Sequence, residues 1–189
     1  MTGAIWGSCG MDKLILVTGG SRSGKSSCAQ RMAELLPAPR VFIATCQVCD
    51  AEMEERVQKH RQARARADWR TVEEPVDLAG ALRNSAQARV LLVDCLTIWI
   101  NNLLYAAQKN NAAPADFDIA AACREVLGAC RSVEGTVIMV TGEVGMGIIP
   151  ENPLARLYRD CVGTGNQLIA AAADQVILVT CGISLTLKG

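Results

Sequence analysis

The sequence lacks the features that would place it in a membrane or outside the cell. No apolar run reaches the roughly 18 residues that a transmembrane helix requires. The first ten residues have no basic segment followed by a sustained apolar stretch, so we do not expect them to be a signal peptide. We expect residues 1–10 to be a loose extension of one cytoplasmic domain at 11–189.

The sequence also has no excess of positive or negative charge, and it has very little histidine. Lys and Arg together number 19, as do Asp and Glu, so the charge balance points neither to a nucleic acid nor to an anionic membrane as partner. The chain has one histidine, His60, and no second cysteine pair that could complete a zinc site with Cys46 and Cys49. We interpret that pair as a coincidence rather than as metal or redox chemistry, and expect reduced thiols throughout.

The most informative motif is the segment Gly19–Ser26, which has the pattern Gly-x4-Gly-Lys-Ser. An apolar, strand-like run precedes it and a helical pattern follows it, which is the context that a phosphate-binding loop requires. Its glycines let backbone N–H groups converge on phosphate oxygens, Lys25 adds a positive charge, and the Ser26 hydroxyl can bind Mg²⁺. The motif therefore predicts a site for a nucleoside triphosphate. The alternative is a glycine-rich turn with no ligand.

Apolar runs of strand type alternate with helical patterns along the chain. Such runs indicate a parallel sheet that helices cover on both faces, so the fold class is α/β. The predicted strands are 13–18, 41–44, 70–73, 89–94, 136–141, 175–180 and an edge strand at 183–187. The predicted helices are 26–36, 51–65, 76–86, 97–107, 116–132 and 153–173.

Three further positions are candidates for chemistry. Asp94 ends an apolar strand, where an acid can bind Mg²⁺, although a helix cap would look the same. His60 shares a helical face with Met53 and Val57; it is either a packed histidine or a nucleophile that attacks phosphorus through its neutral imidazole. The loop 142–151 is rich in glycine and carries two carboxylates, so it either binds a substrate or is an ordinary connection.

Several longer blocks make the sequence resemble one enzyme family over about residues 13–188. The specific blocks are Trp69-Arg-Thr-Val-Glu73 and Glu143-Val-Gly-Met-Gly147. The phosphate loop, Ile43-Ala-Thr45, Asp94-Cys-Leu-Thr97 and Asn166-Gln167 accompany them. On these blocks the chain resembles the bifunctional adenosylcobinamide kinase/adenosylcobinamide-phosphate guanylyltransferase family.

The resemblance implies a RecA-like P-loop NTPase fold, a homotrimer and two reactions of cobalamin biosynthesis. The first phosphorylates adenosylcobinamide with ATP or GTP. The second transfers GMP from GTP to adenosylcobinamide phosphate and releases pyrophosphate, through a GMP–histidine intermediate that falls on His60. Mg²⁺ is the implied cofactor. A monofunctional P-loop kinase of a small molecule and a nucleotide-dependent switch protein are the alternative interpretations.

By matching position, the resemblance implies a set of nucleotide-binding residues. They are Gly19, Gly20, Ser21, Arg22, Ser23, Gly24, Lys25, Ser26, Ala44, Thr45, Cys46, Arg61, Gln62, Ala63, Arg64, Glu73 and Asp94. Lys25 and His60 are the implied catalytic residues, and Ser26 and Asp94 the implied metal ligands. The chain departs from the family pattern at Gly142, where Asn is usual, and at Thr164, where Arg is usual.

Overall fold

The computed structural model describes residues 14–46, 68–109 and 118–189. The predicted extension at 1–10 and the predicted helix at 51–65 lie outside these ranges. The strands are β1 (Leu14–Thr18), β2 (Arg40–Ala44), β3 (Trp69–Glu73), β4 (Val90–Asp94), β5 (Thr136–Val140), β6 (Gln175–Thr180) and β7 (Ile183–Lys188). The helices are α1 (Lys25–Glu34), α2 (Leu78–Arg83), α3 (Leu96–Lys109), α4 (Ile119–Cys130) and α5 (Pro153–Ala172).

The seven strands form one sheet in the order β3-β2-β4-β5-β1-β6-β7. Every neighbouring pair is parallel except β6 and β7, which are antiparallel. The strand β5 lies between β1, which precedes the phosphate loop, and β4, which ends in Asp94. The predicted, mostly parallel sheet is confirmed.

Helices cover both faces of this sheet, as the apolar strand patterns predict. On one face α1 buries Cys28, Ala29 and Met32 against strand residues that include Ile15. The other face packs against α2, α3, α4 and α5, through buried side chains that include Leu82, Trp99, Val126 and Ile169. Each strand alternates its side chains between the two layers, which is why the central strands are apolar throughout.

The carboxyl ends of five strands meet at one edge of the sheet. Ala44 pairs with Glu73 on one side and with Asp94 on the other. Asp94 pairs across the next boundary with Val140, and Val140 pairs with Val17 in β1. In open α/β sheets this is the edge at which ligands bind.

The helix α2 is shorter than the predicted helix at 76–86. The Glu74 carboxylate accepts hydrogen bonds from the N–H groups of Val76 and Asp77, at 2.9 and 2.8 Å, and holds these residues in a turn. The Asp77 carboxylate then accepts the Gly80 N–H at 2.8 Å and caps the helix. Side-chain capping therefore delays the start of the helix beyond what the apolar periodicity indicates.

The helix α5 continues without a break through Gly163 and Gly165. A Cβ at Gly165 would lie 3.1 Å from Ile100 Cδ1 and 3.5 Å from Cys123 Sγ, so the glycine lets α5 approach α3 and α4 closely. With 20 residues, α5 is the longest helix in the described ranges. No helix in those ranges combines the length and the hydropathy that crossing a bilayer requires.

The strand β7 forms the outer edge of the sheet, so the predicted edge strand at 183–187 is confirmed. Cys181 and Gly182 connect it to β6 with φ values of 52° and 78°. Positive φ at both central residues is the requirement of the favoured two-residue hairpin turn, and glycine meets it at little cost. This turn reaches the phosphate loop, as described below.

Candidate nucleotide-binding site

The loop between β1 and α1 has the geometry of a phosphate cradle. Lys25 Nζ donates a hydrogen bond to the carbonyl oxygen of Gly20 at 3.1 Å, so the ammonium group lies across the loop. Arg22 and Gly24 have φ values of 55° and 93°, in the left-handed region that turns the chain back into α1. Such a turn exposes successive backbone N–H groups on its concave side, where an anion can bind.

The hairpin turn at Gly182 packs against the phosphate loop. The Gly182 N–H donates to the carbonyl oxygen of Ser23 at 2.9 Å, and a Cβ at Gly24 would lie 3.4 Å from the Gly182 Cα. A Cβ at Gly19 would overlap the carbonyl oxygen of Val179 in β6. The loop is therefore packed against residues more than 150 positions away in sequence.

The helix α1 directs its N-terminus at the same place. Gly24, which precedes its first turn, makes no side-chain capping bond, and that turn contains no acidic residue. The first N–H groups of a helix have no partner within the helix and carry a partial positive charge. In the described part of the chain, this helix start is therefore suited to phosphate oxygens.

Ser26 and Asp94 have the donor chemistry of a magnesium site. Ser26 is the second residue of α1 and Asp94 the last residue of β4, and both are partly exposed at the carboxyl edge. Hydroxyl and carboxylate oxygens are the hard donors that Mg²⁺ prefers. Within residues 14–46, 68–109 and 118–189, no cluster of three metal-ligating His, Cys, Asp or Glu side chains exists. The two residues thus fit a cation that takes further ligands from nucleotide phosphates and water.

The structure brings Ala44, Thr45, Cys46 and Glu73 to this edge, and their role in nucleotide binding stays a prediction. Glu73 is exposed at the end of β3. The Thr45 hydroxyl donates to the carbonyl oxygen of Cys95 and accepts the Cys95 N–H, both at 2.8 Å. Thr45 is fully buried, so its side chain joins the ends of β2 and β4.

A second side chain stabilises the same strand ends. Asn102 on α3 donates from Nδ2 to the carbonyl oxygens of Thr45 and Pro75, at 2.8 and 3.0 Å. One amide group therefore ties the chain after β2 to the chain after β3. The sequence position of Asn102 does not by itself indicate this role.

The pKa of the Cys95 thiol is affected by the charged groups of the site. Burial raises its pKa, and the adjacent Asp94 carboxylate raises it further, whereas Lys25 makes a smaller, opposite contribution. Both charged groups therefore act on the same region of the edge. The thiol stays protonated at neutral pH, 2.9 Å from Thr97 Oγ1, which makes Cys95 a packing residue and not a nucleophile.

The glycine-rich loop begins on the phosphate loop. The Glu143 N–H donates to the carbonyl oxygen of Gly19 at 3.1 Å. The next residues turn outward, and the side chains of Met146 and Ile148 are 83% and 96% exposed. Arg159 on α5 donates to the carbonyl oxygen of Gly145 at 3.0 Å. The loop is thus anchored at its start and open to an incoming molecule beyond it.

His60 and the residues Arg61, Gln62, Ala63 and Arg64 lie outside the described ranges. Their roles in catalysis and nucleotide binding therefore stay predictions. The departure at Gly142 lies within the described site: a Cβ there would lie 3.1 Å from Thr97 Cγ2. Thr97 would have to yield by a few tenths of an ångström to admit the Asn that is usual in the family. Thr164 is exposed on α5.

Comparison with known proteins places this site in a family. The chain matches the family described as cobinamide kinase / cobinamide phosphate guanyltransferase over residues 15–187. It is 43% identical to the bifunctional adenosylcobalamin biosynthesis protein CobU of Salmonella typhimurium over 184 residues, covering 93% of this chain and 99% of that protein. It is 42% identical to the bifunctional adenosylcobalamin biosynthesis protein CobP of Pseudomonas aeruginosa over 175 residues, with 92% and 96% covered.

A solved structure supports the fold independently of sequence. An ATPase from the type III secretion system of pathogenic bacteria superposes with a TM-score of 0.57 at 12% identity, covering 94% of this chain and 57% of that chain. At this identity the likeness concerns the fold, which is that of the P-loop NTPases, as predicted. The match over residues 15–187 and the two relatives at 42–43% identity show that the chain belongs to the cobinamide kinase/cobinamide phosphate guanyltransferase family.

Proposed function

We propose that the chain is a bifunctional transferase of cobalamin biosynthesis. In the first reaction, the hydroxyl group of adenosylcobinamide attacks the γ-phosphorus of ATP or GTP. In the second, GMP passes from GTP to adenosylcobinamide phosphate through His60, and pyrophosphate leaves. The observation that carries the proposal is the convergence of the phosphate loop and Asp94 on one sheet edge, in a chain of this family.

The residues of the edge have distinct roles in this proposal. The backbone of Gly19–Ser26 and the start of α1 bind the phosphates, and Lys25 stabilises the charge that develops on the transferred group. Ala44–Cys46, Glu73 and Arg61–Arg64 bind the rest of the nucleotide. Ser26 and Asp94 hold Mg²⁺, which when bound neutralises phosphate charge.

Product analysis tests the two reactions together. Incubation with adenosylcobinamide, Mg²⁺ and GTP is expected to give adenosylcobinamide phosphate, adenosylcobinamide-GDP and pyrophosphate, separated by chromatography and identified by mass. Formation of phosphorylated corrinoid without release of pyrophosphate would mean that the chain is a kinase without guanylyltransferase activity. Slow GTP hydrolysis at a rate that does not depend on the corrinoid would contradict both proposed reactions.

We propose cytoplasmic location on the state of the thiols. Six cysteines within the described ranges form no disulfide, and four of them are buried; the six are Cys28, Cys95, Cys123, Cys130, Cys161 and Cys181. Unpaired thiols are typical of a reducing compartment.

We also propose that the protein is a homotrimer, and the exposed face of β7 supports self-association. Ile183 and Leu185 lie two positions apart in β7, before the irregularity in its pairing with β6, and therefore share one face; these residues are 70% and 56% exposed. Exposed apolar patches of this kind mark protein contacts. The number of subunits comes from the resemblance to the family.

Light scattering during gel filtration tests this assembly. The wild-type protein is expected at about three times the 20.1 kDa of the chain. Leu185→Lys is expected to shift the mass toward the monomer, because it places a charge in the apolar contact. Thr186→Lys makes the same change on the opposite face and serves as the matched control. A monomeric wild-type protein would contradict the proposed trimer. A Leu185→Lys variant that remains trimeric would contradict the proposed contact surface.

A further inference from the structure

Glu143 is an acidic side chain at the phosphate loop with no assigned role. It lies three residues after the end of β5, the strand between β1 and β4. Its N–H is bonded to Gly19, the first residue of the loop. Glu143 therefore lies beside the start of the phosphate loop.

Two donors hold one oxygen of this carboxylate. Thr18 Oγ1 donates to Glu143 Oε1 at 2.9 Å, and Asn166 Nδ2 donates to the same oxygen at 3.1 Å. Thr18 is the last residue of β1, and Asn166 lies on α5. Among the described residues, no donor is bonded to Oε2. The side chain is thus oriented through one oxygen, and the other can accept a proton.

The surrounding bonds fix the orientation of Asn166. Its Nδ2 also donates to the carbonyl oxygen of Gly142 at 3.2 Å, and a carbonyl oxygen can only accept. Its Oδ1 accepts the hydroxyl of Thr141 at 2.7 Å. Asn166 is 8% exposed, so the amide is locked by buried partners and presents its N–H group to Glu143. A carboxylate held by such donors is preorganised in the way that proton transfer requires.

The other acidic side chains at this edge either have another role or lie on a strand that is not adjacent to β5. Glu74 accepts two backbone N–H groups before α2. Glu73 ends β3, which is separated from β5 by β2 and β4. Asp94 is the proposed metal ligand. Glu143 is therefore the carboxylate best placed to meet an acceptor that approaches the γ-phosphate from the open side of the loop.

We propose that Glu143 is the general base of the kinase reaction. This step rests on the proposed function. The acceptor oxygen forms a bond to the γ-phosphorus while the bond from that phosphorus to the β,γ-bridging oxygen breaks. The nucleoside diphosphate leaves with that electron pair, and the hydroxyl proton passes to Glu143 Oε2 and from there to water. The guanylyl transfer does not need this base, because its acceptor is a phosphate oxygen that is already ionised near neutral pH.

The different needs of the two reactions give a sharp test with Glu143→Gln. The amide keeps the size of the side chain but cannot take the proton. Phosphorylation of adenosylcobinamide is expected to fall about 100-fold in kcat, with little change in the KM for the nucleotide. Guanylyl transfer to adenosylcobinamide phosphate, supplied directly, is expected to stay near the wild-type rate. Glu134→Gln, which changes an exposed carboxylate at the opposite end of β5, is the matched control.

The conservative variant Glu143→Asp separates a base from a merely structural side chain. It retains a carboxylate in a withdrawn position, so it is expected to keep part of the kinase activity that Glu143→Gln loses. It also provides the measurement if the amide variant does not fold.

Two results would overturn the assignment. One is an unchanged kinase rate in Glu143→Gln; the other is an equal loss of both reactions in a folded variant, which would mean a general role in the site. A wild-type protein that makes no phosphorylated corrinoid would instead contradict the proposed function, so the two failures are distinguishable.

Discussion

A Lys25→Ala variant is expected to lose both transfer reactions, by on the order of 100-fold or more in kcat, because one positive group serves both. Lys25 Nζ lies 3.1 Å from the carbonyl oxygen of Gly20, at the mouth of the loop. A bound triphosphate offers stronger acceptors than this carbonyl, so the ammonium group is available to the phosphates. In the transition state of either reaction, negative charge builds up on phosphate oxygens within its reach.

The control for this variant is Lys109→Ala. Lys109 ends α3 and its ammonium group lies 4.7 Å from the ring centroid of Tyr105, away from the loop. Both variants are expected to melt close to the wild type, since neither side chain is part of the core. Rates follow from chromatography of the corrinoid products, and GTP affinity from calorimetry. A Lys25→Ala enzyme with near wild-type rates would show that the phosphates bind elsewhere.

Replacing His60 is expected to separate the two reactions. His60→Ala should abolish covalent labelling by GTP carrying a radioactive α-phosphate, because the chain has no other histidine to form the intermediate. Phosphorylation of adenosylcobinamide should continue, since the γ-phosphoryl group passes directly to the acceptor. Pyrophosphate release with GTP should stop.

The chemistry of the label tests the residue type as well as the position. A phosphoramidate on histidine is labile in acid and stable in base, so denatured wild-type enzyme should lose its label in acid. Labelling should also decrease at low pH, because only the neutral imidazole attacks phosphorus. Label retained in His60→Ala, or no label on the wild type, would contradict the role of His60.

The order of strands and helices is largely a local property and could be predicted. Apolar runs such as Val90–Val93 are buried strands because parallel sheets are covered on both faces. The phosphate loop was predictable for a similar reason: its glycines, lysine and serine lie within eight residues. Its place beside Asp94 follows from the rule that parallel strands bring their carboxyl ends to one edge.

The contacts that orient Glu143 could not be predicted in this way. Thr18 lies 125 residues before it and Asn166 lies 23 residues after it, so no local periodicity links the three. Glu143 and Asn166 belong to blocks that carry the family resemblance, but those blocks assign them no partner. The support of the phosphate loop by Gly182 was equally hidden, because glycine in a hairpin turn is explained by the turn itself.

The position of β1 in the sheet has a consequence for synthesis of the chain. Its two neighbours are β5 and β6, which the ribosome makes after most of the domain has emerged. Until then the phosphate loop has neither its strand neighbours nor the N–H group of Gly182. Closing contacts of such sequence separation is slow, and the nascent chain can bind nucleotide only once they are made. Nucleotide therefore stabilises the finished fold and not its early intermediates, so GTP or ATP favours completed molecules.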